Sequence, residues 1–181
     1  MATTDTHDPL TLVDDRAARR NTLLLAVCQM FGGISATITM TLGGIVGLQL
    51  ADNPASATVP ITMFVLGQAI MTLPAGYLMR FVGRKNGFMF GTTLAMSGGL
   101  VATTALFNES FWMFAFGCML VGMSYAYVQL YRFAAADNAS DAFRPKAISW
   151  VLIGGLVAAV LGPQVVIHLG AGVQLNGDAA R

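Results

Sequence analysis

The chain has 181 residues, of which 55% are hydrophobic and only 10% charged, and its formal net charge is +1. A mean hydropathy of +0.65 and so little charge exclude a soluble globule, a disordered tail and a nucleic-acid binder, all of which carry far more ionised side chains. Two cysteines, Cys28 and Cys118, both inside apolar runs, make no disulfide framework.

In chain order, residues 1–21 are polar and partly acidic (Asp5, Asp8, Asp14, Asp15) and read as a loose cytoplasmic lead. They are no secretory signal, because the leader is mixed in charge and the apolar run after it is too long. A bilayer core of about 30 Å takes about 20 apolar residues per helix. Five stretches within residues 22–168 reach that length: 22–50, 58–81, 86–107, 111–131 and 147–168. None carries Asp, Glu, Lys, Arg or His near its middle. In hydrocarbon every backbone polar group must be bonded internally, so the fold class is an all-α multi-span membrane protein with five transmembrane helices. Span one is longer than a straight crossing needs and is expected to tilt or to bend near Gly32-Gly33 or Gly43-Gly44. Residues 169–181 are Gly-rich and read as a short external tail.

Orientation follows from the bases. Arg16, Arg19 and Arg20 precede span one; Arg80, Arg84 and Lys85 lie between spans two and three; Arg132, Arg144 and Lys146 lie between spans four and five. Nine of the ten basic residues thus share one side, and Arg181 falls on the other. The opposite loops, 51–57 and 108–110, carry Asp52 and Glu109 and no base. By the positive-inside rule the N-terminus is cytoplasmic and the C-terminal tail outside, with Trp112 and Trp150 at span starts where aromatic belts belong.

Small residues recur at helical spacing: Gly43 and Gly47 on span one, Gly87, Gly91, Ala95, Gly98, Gly99 and Ala102 on span three, and Gly154, Ala158 and Gly162 on span five. Such stripes let backbones approach where lipid supplies no drive for association. Uncharged polar residues inside the spans are candidates for a solute path, because neutral donors and acceptors bind a polar solute without burying a charge. Gln29 and Thr37 on span one and Ser124, Tyr125 and Gln129 on span four stand out; Thr39, Thr41, Gln49, Gln68, Thr72, Tyr127 and Tyr131 are further members. For a single Thr or Gln, an interhelical hydrogen bond of about 0.6 kcal/mol is the commoner role.

Intramembrane catalysis would need a nucleophile with its base, paired carboxylates or a metal cluster, and the spans hold none of these. His7 and His168 have no partner at ligand spacing, no Gly-rich loop follows a strand, and the eleven Met and eleven Phe indicate packing. Neither an enzyme nor a cofactor or metal is expected.

Between spans two and three the chain reads Pro74-Ala75-Gly76-Tyr77-Leu78-Met79-Arg80-Phe81-Val82-Gly83-Arg84-Lys85. This resembles the signature loop of the major facilitator superfamily, G-x-L-a-D-r-x-G-r-k, in position as well as pattern. Gly76, Leu78, Gly83, Arg84 and Lys85 match; Arg80 stands where the family usually has Asp, and Phe81 where it usually has Arg. On span five Gly154, Ala158, Gly162 and Pro163 look like the fifth-helix motif of drug antiporters of that family, although Val166 and Ile167 replace its closing glycine pair. The segment from Tyr131 to Asp137, with Asp141 and Arg144-Pro145-Lys146-Ala147, resembles the loop after the fourth helix in uncharacterised bacterial members.

The resemblance implies a small-solute carrier of the cell inner membrane, with two six-helix halves, each built of inverted three-helix repeats, giving alternating access to a central site. In such carriers the signature loop lies against the other half, its Gly permits close contact and its charges help to hold one gating state. Twelve spans need at least about 240 helical residues, so this chain is expected to be an incomplete N-terminal half that lacks the C-terminal half of the carrier and does not transport alone. Its partners are then the lipid bilayer, a small solute of unknown identity and that missing half, with no nucleic acid. The reading from another class is a stand-alone five-span scaffold or accessory subunit, and the mass of the native product separates the two.

Overall fold

The computed structural model describes residues 9–51, 53–137 and 143–179. Among these the chain is helical, without a strand: α1 (Pro9–Leu50), a 3-10 turn (Pro54–Ser56), α2 (Val59–Val82), α3 (Arg84–Phe107), α4 (Phe111–Gln129), α5 (Tyr131–Asp137) and α6 (Arg144–Ala179). Five segments are long and apolar enough to cross a membrane: Ala18–Leu50, Val59–Val82, Arg84–Phe107, Phe111–Asp137 and Arg144–His168. Their number is the five expected from the sequence. Asp5, Asp8, His7, Asp52, Asp141 and Arg181 lie outside the described residues.

The helices begin and end for local reasons. Pro60 sits in the first turn of α2, where a missing N–H costs nothing. Gly83 separates α2 from α3 with φ 84° and ψ 157°, a region open essentially to glycine alone. Gly83→Ala is therefore expected to cost about 2 kcal/mol and to lower the melting temperature by roughly 4–8 °C, read by thermal unfolding in detergent. Helix α1 starts at Pro9 and α6 continues to Ala179, so the helical ladder extends into both terminal segments. α1 stays helical through Gly32-Gly33 and Gly43-Gly44. Span four is interrupted at Leu130, whose N–H turns back to the Tyr127 carbonyl at 3.1 Å while its own carbonyl starts α5 by accepting the Ala134 N–H at 3.0 Å.

Helix α4 is the hub of the bundle. In its most apolar stretch 56% of residues are buried, against 17–22% in the other four spans. α2 and α3 both pack along α4, α1 crosses it, and α6 packs on α1. Glycines set these distances. A Cβ at Gly117 would stand 2.7 Å from the Ala102 nitrogen and one at Gly98 2.9 Å from the Val121 nitrogen, so α3 and α4 touch backbone to backbone. The α2/α4 crossing is as tight, with Gly122 against the Phe64 carbonyl and Gly67 against that of Met119. Around it Ala36, Phe64, Phe114, Cys118 and Val121 form one core cluster. A second cluster at the basic end joins Ala18, Ala135, Phe143, Ala147 and Val151, locking α1, α5 and α6 together.

The outside is apolar. Phe81 and Phe107 are 85% and 84% exposed, and Leu73, Leu100 and Leu156 also point outward. A surface of this kind belongs against lipid tails.

Candidate functional site

The signature loop is built around one guanidinium. Gly83 turns the chain sharply, which places Arg84 at the start of α3 facing α5. There Arg84 Nη2 pairs with the Asp137 carboxylate and Nη1 donates to the Ala134 carbonyl at 3.3 Å. From the other side Arg144 Nε donates to the Ala136 carbonyl at 3.3 Å. Two bases thus satisfy carbonyls that the last turn of a helix leaves unpaired, at the end where the dipole favours positive charge. The Arg84 and Asp137 side chains are 39% and 58% exposed, so the ion pair itself contributes about 0.2–1 kcal/mol. Arg19 adds a cation–π contact, 5.6 Å from the Phe143 ring centroid.

Arg80 and Lys85 are exposed, and Leu78 is half-buried. Gly76 has no atom within 4 Å of where its Cβ would be, so among the described residues it makes no close helix contact. No local pattern points from Arg84 to Asp137 as its partner; the place of Asp137 in the Tyr131–Asp137 segment is the one hint at that end of the chain.

The fifth-span stripe sits on the α1/α6 seam. Gly154 lies on the Ala26 carbonyl, Ala158 faces Gly33 with 2.6 Å to a Cβ there, and Gly162 faces Thr37 with 2.6 Å to the Thr37 Cβ. Both series ascend together, so α1 and α6 run in the same direction, and the small-residue stripe is the contact that joins them. Pro163, next to this seam, is exposed within the unbroken α6.

The polar candidates do not converge on one cavity. Thr37 donates to the Gly33 carbonyl at 3.0 Å and Ser124 to the Val121 carbonyl at 2.7 Å, so each hydroxyl is satisfied by its own helix. Gln29 is 8% exposed, with its amide nitrogen 3.6 Å from a Cβ at Gly155 and its Oε1 unpaired. The Tyr127 hydroxyl is likewise buried and unpaired. Tyr125 stacks its ring at 5.9 Å, tilted, on Phe64, and shares the lining of a 60 Å³ cavity with Ser124. Gln129 is half-buried at the last turn of α4. Gln29 and Tyr127 are the members of the set whose buried polar atoms keep capacity for a solute or for another helix, because an unpaired buried polar atom costs free energy until something bonds it.

Two larger cavities lie between α1 and α3 above α4. One of 310 Å³ includes Cys28, Phe31, Thr92 and Tyr131; the other, of 190 Å³, includes Leu42, Gly99, Thr103 and Phe114. No group of His, Cys, Asp or Glu suited to a metal occurs among the described residues.

The sequence of this chain is similar to those of known proteins. The chain is 45% identical over 156 residues to the riboflavin transporter RfnT of Brucella anthropi, a match covering 86% of this chain and 39% of the relative. It is 28% identical over 153 residues to the uncharacterized MFS-type transporter YdeG of Bacillus subtilis, covering 84% and 35%, and 27% identical over 148 residues to YddS of the same organism, covering 81% and 34%. The chain thus spans less than two fifths of the length of these relatives. No solved structure matches it. The family profile described as Major Facilitator Superfamily matches residues 17–174, nearly all of the membrane-spanning bundle, and the chain belongs to that family of multi-pass membrane proteins.

Proposed function

We propose that this bundle is the N-terminal portion of a secondary carrier that moves a flavin such as riboflavin across the cell inner membrane by alternating access. The 45% identity to a riboflavin transporter over 86% of the chain carries this reading. A flavin is a flat heteroaromatic ring with a hydroxylated tail. The Tyr125 ring offers stacking surface, and the amides of Gln29 and Gln129 offer donors and acceptors without charge. In this family the solute sits between two halves of the carrier. The five helices supply one wall of that site, and the missing C-terminal half supplies the other, so residues 1–181 alone do not transport. Basic residues gathered at one end support an N-terminus in the cytoplasm.

The reading is tested in two steps. An N-terminal tag at the chromosomal locus gives the mass of the native product; a band of roughly twice the calculated 19.1 kDa is expected, and one at 19.1 kDa removes the proposal. Cells that lack flavin uptake and express the long form should then accumulate labelled riboflavin, whereas accumulation equal to empty-vector cells removes the assigned solute class.

A further inference from the structure

Three buried side-chain atoms have no hydrogen-bond partner among the described residues: Gln29 Oε1, the Tyr127 hydroxyl and Arg132 Nε. Two of them, on Gln29 and Arg132, come from opposite sides of one seam and are opposite in kind. α1 and α4 cross antiparallel, since Gly32 meets Val128 while Ala36, a turn further along α1, shares a cavity with Val121 and Ser124, further back on α4. Cys28 and Tyr131 accordingly share a cavity wall. The same register sets Gln29 level with Tyr131 and Arg132.

The two residues also share a side. At about 100° per residue, Gln29 stands on α1 between Gly32, which meets α4, and Ala26 and Gly33, which meet α6. On α4, Tyr125 stands between Val128, which faces α1, and Gly122, which faces α2. Arg132 follows Tyr125 and Gln129 at i, i+4 and i+7, past the tight turn at Leu130, and its charge reaches the Tyr125 hydroxyl. Gln29 and Arg132 thus belong to the strip of the α1/α4 seam that lies between α2 and α6 and faces away from α3.

The chemistry of the pair narrows the occupant. Arg132 Nε–H is a donor and Gln29 Oε1 an acceptor, and each costs free energy while it stays buried and unbonded. An anion such as a phosphate answers Arg132 and leaves the Gln29 oxygen against a second negative charge. A hydrocarbon answers neither. A carbonyl and an N–H side by side in one rigid plane answer both, and that is the edge of a cyclic imide. The flavin ring carries such an edge on its pyrimidine end. Tyr125 stands seven residues from Arg132, about 10 Å along the helix, a distance that a tricyclic ring spans, so the apolar end of the ring reaches the aromatic side chain.

We propose that Gln29 and Arg132 together read the imide edge of the flavin ring, Arg132 donating from Nε to a ring carbonyl and Gln29 Oε1 accepting from the N–H beside it. They are specificity-determining residues of the carrier, and the assignment rests on the flavin reading above.

The test uses the long form in cells that lack flavin uptake, with labelled riboflavin as the probe and unlabelled competitors. N3-methylriboflavin carries the same ring without the imide N–H. Against the unmodified carrier it should compete at least about tenfold more weakly than riboflavin. Gln29→Ala leaves room for the methyl group; it should raise the half-saturating riboflavin concentration about tenfold and remove the preference, so that both compounds compete alike. Arg132→Met keeps an apolar stem and loses the donor. It should weaken riboflavin to a similar degree and keep the preference, because Gln29 still accepts. A purely structural role for Gln29 lowers uptake and leaves the preference intact, which overturns the proposal. An unmodified carrier that takes both compounds equally overturns it too, as does one that flavin mononucleotide inhibits more strongly than riboflavin, since that puts an anion on Arg132. If Gln29→Ala does not reach the membrane, the competitors on the unmodified carrier and on Arg132→Met still decide. No accumulation of riboflavin by the long form removes the flavin reading and this proposal together, whereas accumulation without the N–H preference removes the imide site alone.

Discussion

Gly122→Ala is expected to destabilise the bundle by about 3 kcal/mol and to lower its melting temperature by roughly 6–12 °C. The added methyl would meet the carbonyl oxygen and carbon of Phe64, which belong to the backbone of α2 and cannot swing aside as a side-chain tip would. Relief requires α2 and α4 to part, which opens the cluster around Phe64, itself 1% exposed. Gly154→Ala should behave alike, since its methyl would meet the Ala26 carbonyl on α1. Gly44→Ala is the control: its nearest neighbour is the flexible Ile61 Cδ1 at 3.6 Å, an ordinary contact. Thermal unfolding of the three variants in one detergent checks the ranking, and equal melting of Gly122→Ala and Gly44→Ala would remove the backbone-contact account of the α2/α4 seam.

Gly76→Leu has the opposite signature. With no atom within 4 Å of its Cβ position, the substitution leaves the melting temperature of the five-helix bundle close to where it was. Gly76 shares its side of α2 with the exposed Leu73, Tyr77 and Arg80, a strip that the described residues leave uncovered. Under the carrier reading the strip faces the other half of the protein in one gating state. Overpacking by about 1–3 kcal/mol in that state shifts its population by about five- to 150-fold, so solute uptake by the long form should fall about tenfold or more. Uptake equal to the unmodified carrier would end the gating role of this loop. The sequence leads to the expectation that Gly76 admits a close neighbour of span two; among the described residues no atom lies within 4 Å of its Cβ position.

Hydropathy and the positions of the bases were enough to read the spans, because a bilayer imposes one length and one chemistry on every helix that crosses it. The stripe Gly154, Ala158 and Gly162 was legible as packing for the same reason: small residues at i, i+4 and i+8 define a groove whatever fills it. Which helix fills it is a matter of tertiary arrangement, and no local pattern points from Gly162 to Thr37 or from Gly98 to Val121. The solute path was the least legible part. Composition marks Thr37 and Ser124 as polar, and in the helix each hydroxyl donates its proton to a carbonyl of its own helix, which leaves it as an acceptor only. The break at Leu130 and the Arg84–Asp137 pair were hidden as well, since the first is one residue in an apolar run and the second joins positions fifty-three apart.

The central place of α4 has a consequence for how the protein is made. A ribosome delivers helices in order, N-terminal first, and α2 and α3, though neighbours in sequence, meet mainly where Gly87 rests on Met79. Their glycine faces are cut for α4. Until Phe111–Gln129 has emerged and entered the bilayer, Gly67 and Gly98 have no backbone to close on and lipid occupies both grooves. The first three helices therefore meet one another only lightly until the fourth arrives to join α2 and α3, and α6 then adds the last large seam, on α1.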